Sequence, residues 1–265
     1  MFLNFDKGIY NLEHKEGMEG ISQIKLSDRE EFSIACTINN IKAIDLLQYF
    51  VDHVSFYVFI GGNTTAAYLW ATQVCIECRE ALGARVEVIQ DQRVQQVALK
   101  FIKKLTALIH DTDHIEGAAK SNSLMKMWEQ EMLPLTTSYI QEIELSNIGK
   151  LYLSFDFTLL CNMNGISIQN QLQYFIDHLS LATERAVNFL EIVKTNPSNA
   201  VLLSLISSEE VVKNRTLPKQ AIYRKYGLQL LKLDKKQMKE NNLENRIANY
   251  RAFYLDWYHA LNEEK

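Results

Sequence analysis

The segment Leu47-Gln48-Tyr49-Phe50-Val51-Asp52-His53-Val54-Ser55 returns later in the chain as Leu172-Gln173-Tyr174-Phe175-Ile176-Asp177-His178-Leu179-Ser180. The match extends upstream without a gap, so that residues 31–55 align with 156–180 at a constant offset of 125, with 11 identities over 25 positions. Most other positions are conservative exchanges. An internal duplication of this kind dictates that one local structure is built twice.

Each copy has a predicted local structure. Phe32, Ile34, Cys36 and Ile38 alternate with Ser33, Ala35 and Thr37, and Tyr152 to Leu160 is rich in aromatic and aliphatic residues. Period-2 alternation of this type predicts a half-buried strand. Asn39-Asn40 and Asn164-Gly165 then mark a turn, because Asn and Gly tolerate positive φ. After the turn Leu47, Phe50, Val51, Val54 and Val58 recur at three- and four-residue spacing, as do Leu172, Phe175, Ile176 and Leu179. That periodicity predicts an amphipathic helix, and the unit reads as strand, turn, helix.

A chain of 265 residues holds one large or two modest domains. Its 47% hydrophobic and 23% charged content is that of a soluble globular protein, and a net charge of −4 provides no overall attraction to nucleic acid or anionic membrane. No secretory leader and no membrane span are expected. Four cysteines do not make a disulfide scaffold, so the expected compartment is the reducing cytoplasm.

In chain order, a strand is predicted at Ile21–Leu26, the first repeat strand at 30–38 and its helix at 41–60. Helices follow at Ala66–Leu82 and up to His110, then a polar link from His110 to Asn122 and a short helix at Leu124–Leu133. Strands are predicted at Ser138–Leu145 and Lys150–Cys161, and the second repeat helix to Lys194. The remainder reads as helical, with Pro218 and Gly227 as joints. The expected fold is α+β: two repeated units of small antiparallel sheet plus long helix, paired as a pseudo-dimer, with appended helices. Residues 1–118 would carry the first repeat and its appendage. Residues 119–265 would hold the second repeat (119–195) and a C-terminal helical region (196–265).

The helix Leu124-Met125-Lys126-Met127-Trp128-Glu129, the β-hairpin expected at Ser138–Cys161, and Asn164-Gly165-Ile166-Ser167 opening the helix from Gln171 to Val193 carry a family resemblance. This stretch resembles the YbjN-like and type III secretion chaperone-like domains. The resemblance implies an antiparallel sheet packed on long helices and a function in binding other proteins.

Several constellations invite chemistry. Asp52-His53 and Asp177-His178 would supply two Asp and two His if the copies met about a twofold axis, as a metal site in a helical protein requires. Neighbours on a helix point about 100° apart, however, so Asp and His of one copy do not face inward together. Tyr49 with His53, and Tyr174 with His178, read as boundary pairs flanking the apolar stripe. His110 and His114 share a helix face if the helix continues, with no third ligand evident. Cys75-Ile76-Glu77-Cys78 has the spacing of half a zinc site but lies mid-helix, where a redox CxxC does not sit. Cys36 and Cys161 occupy equivalent core positions. No phosphate loop, dinucleotide fingerprint or nucleophile–base motif is present. Catalytic, cofactor-binding and metal residues are therefore expected to number none.

Two features point outward instead. Lys213 to Lys239 carries nine Lys or Arg against one Asp, with Tyr223 and Tyr226 between them. This reads as a solvated face or a docking surface for an acidic partner rather than for nucleic acid. At the C-terminus Leu243, Ile247, Tyr250, Tyr254, Trp257 and Leu261 form a stripe that Phe253 and Tyr258 widen. Such a stripe either closes the chain's own core or docks a partner, because Trp and Tyr dominate interface energetics. Tyr250, Tyr254, Trp257 and Tyr258 are the candidate partner-binding residues. The expected function is a non-catalytic protein-binding adaptor, or a chaperone-like component of a bacterial secretion or signalling assembly, with a protein partner; nothing in the sequence indicates a small molecule. The alternative is a metal- or cofactor-dependent enzyme using the duplicated Asp-His pairs.

Overall fold

A computed structural model of the chain describes residues 22–55, 58, 65–82, 92–111, 114–135, 142–164, 166–187, 196–214 and 217–263. Within these the molecule is predominantly helical, with one small sheet. The elements run β1 (Ser22–Ile24), α1 (Glu30–Ile38), α2 (Ala43–Asp52), α3 (Ala66–Leu82), α4 (Gln92–Asp111) and α5 (His114–Met132). After a 3-10 turn at Leu133–Leu135 come β2 (Glu142–Leu145), β3 (Gly149–Tyr152), α6 (Phe155–Asn164), α7 (Ile168–Asp177) and α8 (Leu181–Val187). The chain closes with α9 (Pro197–Ile206), α10 (Glu209–Asn214), α11 (Gln220–Gln237) and α12 (Leu243–Glu263).

The repeated unit is helix–turn–helix, which corrects the strands expected at 30–38 and over the later part of 150–161. The alternation of Phe32, Ile34, Cys36 and Ile38 has a different cause. Helix α1 is buried on two faces: Phe32, Ala35 and Cys36, spaced i, i+3, i+4, join the central core, while Ile34 and Ile38 join a separate cluster under α12. Two apolar stripes on one helix, read along the chain, mimic period 2. Helix α6 repeats the arrangement. Phe157, Leu160 and Cys161 enter the central core, and Leu159 faces a third cluster built on α4 and α5.

The sheet has three strands in the order β1-β2-β3. β1 lies parallel to β2 with Ser22 opposite Ile143, and β3 lies antiparallel with Leu151 opposite Ile143. Each half was expected to own an antiparallel sheet. Among the described residues there is instead one mixed sheet, to which the first half contributes an edge strand. The β2–β3 turn uses Asn147 at φ 66 and Gly149 at φ 130, where Asn and Gly carry the least steric cost.

Helix lengths also differ from expectation. α2 stops at Asp52 rather than running to 60, and α7 stops at Asp177, with α8 as a new element. The link expected from His110 to Asn122 is mostly helical, since α4 reaches Asp111 and α5 starts at His114. Gly227 lies inside α11 and makes no joint; the break falls at Lys219, whose φ is 58. Helix α3 spans Ala66–Leu82, the bounds expected from the sequence. The central core draws Leu26, Phe50 and Val74 from one side of the expected 118/119 boundary and Ile143, Phe175 and Leu202 from the other.

Candidate functional site

The duplicated Tyr-x-x-Asp-His segments form the end of a helix in both copies. His53 and His178 are the C-cap residues of α2 and α7. The imidazole Nδ1 of His53 donates to the Tyr49 carbonyl at 2.8 Å, and that of His178 donates to the Tyr174 carbonyl at 2.9 Å. Each imidazole also lies on the tyrosine ring one turn back, with centroids 3.9 Å and 3.8 Å apart. Each of these carbonyls also accepts the backbone N–H of the same histidine at 3.2 Å, so the imidazole adds a second donor to a carbonyl in the last turn of the helix.

The flanking polar residues are engaged as well. Gln48 Nε2 donates to Asp52 Oδ1 at 2.8 Å, and Gln173 Nε2 donates to Asp177 Oδ1 at 2.8 Å. The Gln48 amide also reaches the edge strand. It donates to the Tyr152 carbonyl at 2.8 Å and its oxygen accepts from Tyr152 N at 2.9 Å. Gln173 does the same to Ser27, accepting from Ser27 N at 2.7 Å and donating to the Ser27 carbonyl at 3.2 Å. A carboxamide carries one donor and one acceptor face and so replaces a neighbouring peptide group. Ser27 and Tyr152 are themselves equivalent under the offset of 125. Each copy thus grips the backbone that leads into the first helix of the other.

The copies also meet through equivalent aromatic rings. Phe50 stacks on Phe175 with centroids 4.4 Å apart and planes 3° from parallel. Ser55 and Ser180 are likewise held by a following helix. Ser55 N donates to Thr72 Oγ1 at 3.0 Å, and Ser180 N donates to Asn199 Oδ1 at 2.9 Å.

Beside the second copy lies a polar cleft of about 470 Å³ between the start of α1, the end of α7, α8 and α12. Arg29 Nε donates to Asp177 Oδ1 at 2.7 Å across one wall, and Arg251 Nε donates to Glu31 Oε1 at 2.5 Å across another. His178, Ser180, Thr183 and Asn196 also line it. Ser180 Oγ donates to Thr183 Oγ1 at 3.0 Å and accepts from Thr183 N at 3.1 Å. Both guanidinium groups are matched by carboxylates, and the serine hydroxyl is paired with threonine rather than with a base. Periodicity does not reveal this cleft, since Arg29 and Arg251 look like ordinary solvated charges.

Three of the four candidate partner-binding residues lie inside the protein. Tyr250 is 0% exposed and Tyr254 and Trp257 are buried, while Tyr258 is half-buried against the same cluster. Tyr226 and Trp257 stack at 5.6 Å, and α12 rests on α8, α1 and α11. The stripe therefore closes a core of this chain. Beneath it Arg185 holds the buried Asp234 in a two-pronged ion pair, and the Tyr250 hydroxyl donates to Asp234 Oδ1 at 2.9 Å. Burial, then the bond to Asp234, raises the Tyr250 phenol well above its ordinary range, and burial lifts Tyr254 to about 12.

The cysteines are core residues. All four are free and buried. Burial pushes the Cys36 thiol up to about 12 and that of Cys78 to about 11, and it raises Cys75 and Cys161 in the same direction. Protonated thiols neither attack nor bind metal readily. Asp113 and the side chains of His110 and His114 lie outside the described residues. Among the described residues no three His, Cys, Asp or Glu side chains are grouped to hold a metal ion. No helix among them is long and apolar enough to cross a membrane.

Comparison with known proteins adds no relative. No family model matches the chain, and searches of the curated proteins and of the solved structures return no significant match. Of the features that carry the expected resemblance to YbjN-like and secretion-chaperone-like domains, the Trp128 helix is α5, the hairpin ends at Tyr152 instead of Cys161, and the helix expected from Gln171 to Val193 is divided, with α7 ending at Asp177 and α8 starting at Leu181.

Proposed function

We propose that the chain is a non-catalytic protein-binding module whose two repeats pair as a pseudo-dimer, each half bearing a different helical appendage. The observation that carries this reading is the use made of the duplicated polar residues. Gln48, Asp52 and His53, with Gln173, Asp177 and His178, are spent on ending helices and on bonding to the other copy or to Arg29. Selection that keeps these residues twice is accounted for by architecture. The reciprocal Gln48–Tyr152 and Gln173–Ser27 bonds and the Phe50–Phe175 stack support the pairing.

The appendages differ. Around the first helix of copy one lie α11 and α12, and around that of copy two lie α4 and α5. A central core built from two like units and clothed by unlike helices presents distinct faces, as a scaffold joining different proteins requires. An adaptor or chaperone-like part of a bacterial secretion or signalling assembly fits this reading.

Affinity capture of the full chain from its native host, under gentle lysis, is expected to recover one or a few stoichiometric protein partners. A co-purifying small molecule or near-stoichiometric metal, with no protein partner, would overturn the proposal. It would favour the enzyme reading, in which the Asp-His pairs leave their present bonds to hold a cofactor.

A further inference from the structure

The outer face of α11 combines basic side chains with exposed apolar ones. This helix carries five Lys or Arg and a single carboxylate, Asp234, which is buried beneath it. Arg224, Lys225, Lys232, Lys235 and Lys236 are all exposed. Along the same face Leu228 and Leu231 stand 63% and 57% exposed, with Met238 at 62% just beyond the helix end. Arg224, Leu228, Leu231 and Lys235 follow i, i+4, i+7, i+11 spacing and form one ridge. Lys225, Lys232 and Lys236 form a second ridge alongside it.

The face also has a concave end. Ala221, Ile222 and Tyr226 of α11 and Ala260 of α12 line a groove of about 380 Å³, with Lys225 and Glu263 at its rim. The groove is preformed. Lys219 Nζ donates to the Leu261 carbonyl at 2.6 Å, and the Tyr226 hydroxyl donates to Asp256 Oδ2 at 2.8 Å, so hydrogen bonds tie the two helices together beside the groove.

We infer that this face docks an acidic amphipathic helix of a partner protein, an inference that rests on the protein-binding reading above. The apolar ridge meets the partner's apolar stripe, the lysine ridge meets its carboxylates, and the groove takes one aliphatic or aromatic anchor. Helix-in-groove recognition works through such spaced anchors. Complementary charge sets register and speeds encounter. Nucleic acid offers phosphates to the lysines but nothing to Leu228 and Leu231. A flat bilayer leaves the groove unfilled, and the acidic balance of the rest of the chain opposes an anionic surface.

The test is selection of a displayed library of random peptides against the full chain, repeated against Leu228→Asp/Leu231→Asp and Lys225→Glu/Lys232→Glu variants. All four positions are exposed, so unchanged circular dichroism and melting are expected of both variants. Enriched peptides should be acidic, with apolar residues at three- and four-residue spacing, and each variant should weaken them at least tenfold. Enriched peptides of another character, equal binding by the variants, or no enrichment at all would overturn the inference. So would sedimentation with phosphatidylserine vesicles that depends on Leu228 and Leu231. If host capture still recovers a partner while the α11 variants bind it undiminished, this inference falls and the protein-binding reading stands.

Discussion

Gln48 and Gln173 show how much one side chain does when it copies a peptide group. Each carboxamide makes two backbone hydrogen bonds to the opposite copy and a third to its own Asp. A typical hydrogen bond contributes ~0.5–1.5 kcal/mol net, and leaving a partner unpaired costs more when water cannot replace it. These bonds lie at exposed positions where water replaces a lost partner, so Gln48→Ala and Gln173→Ala should each lower stability by about 0.5–1.5 kcal/mol in urea unfolding. Gln48→Glu should cost more than Gln48→Ala, because a carboxylate meets the Tyr152 carbonyl oxygen with no donor between them. Equal stability of the wild-type and alanine forms would show the clamp to be incidental. The sequence displays both glutamines within the repeat, and their shared role becomes visible only once Ser27 and Tyr152 are brought beside them.

At the scale of elements, α12 is the clearest case. It covers Ile34, Ile38, Ala182 and Ala186 with Tyr250, Tyr254 and Trp257. Truncation before Leu243 is expected to expose that whole surface and to give a chain that melts early or aggregates, since a large buried aromatic costs about 3–5 kcal/mol when removed. A truncated chain with an unchanged melting temperature would contradict this placement of the helix. The stripe at three- and four-residue spacing is legible in the sequence. Whether it faces its own protein or another is not, because a terminal helix and a docking helix carry the same pattern. For α1 and α6 the periodicity misleads outright, since each is buried along two stripes.

Across the whole molecule the test of pairing is energetic coupling between the copies. Phe50 and Phe175 touch face to face in the central core. Phe50→Leu and Phe175→Leu keep aliphatic bulk while removing the stack. A double-mutant cycle on unfolding free energy should return a coupling of ~0.5–1.5 kcal/mol between them, the range of aromatic pairs. Strict additivity would argue that the rings are neighbours without shared energy.

The sequence by itself determined that one residue pattern occurs twice, where α3 lies, and that Leu47, Phe50 and Val51 and their counterparts at 172, 175 and 176 are core. These follow from side-chain periodicity, from residues that start and stop helices, and from identity at a fixed offset, which are local properties of the chain. Tertiary structure alone decided that 30–38 is helix, that one sheet is shared between the halves, and that the Asp-His pairs end helices. Each of these depends on what lies across from the residue: a second core against Ile34, a strand edge beside Gln48, a carbonyl one turn below His53. Partners distant in sequence settle such choices, because burying an apolar face or satisfying a backbone group outweighs the ~1 kcal/mol preferences that local sequence expresses.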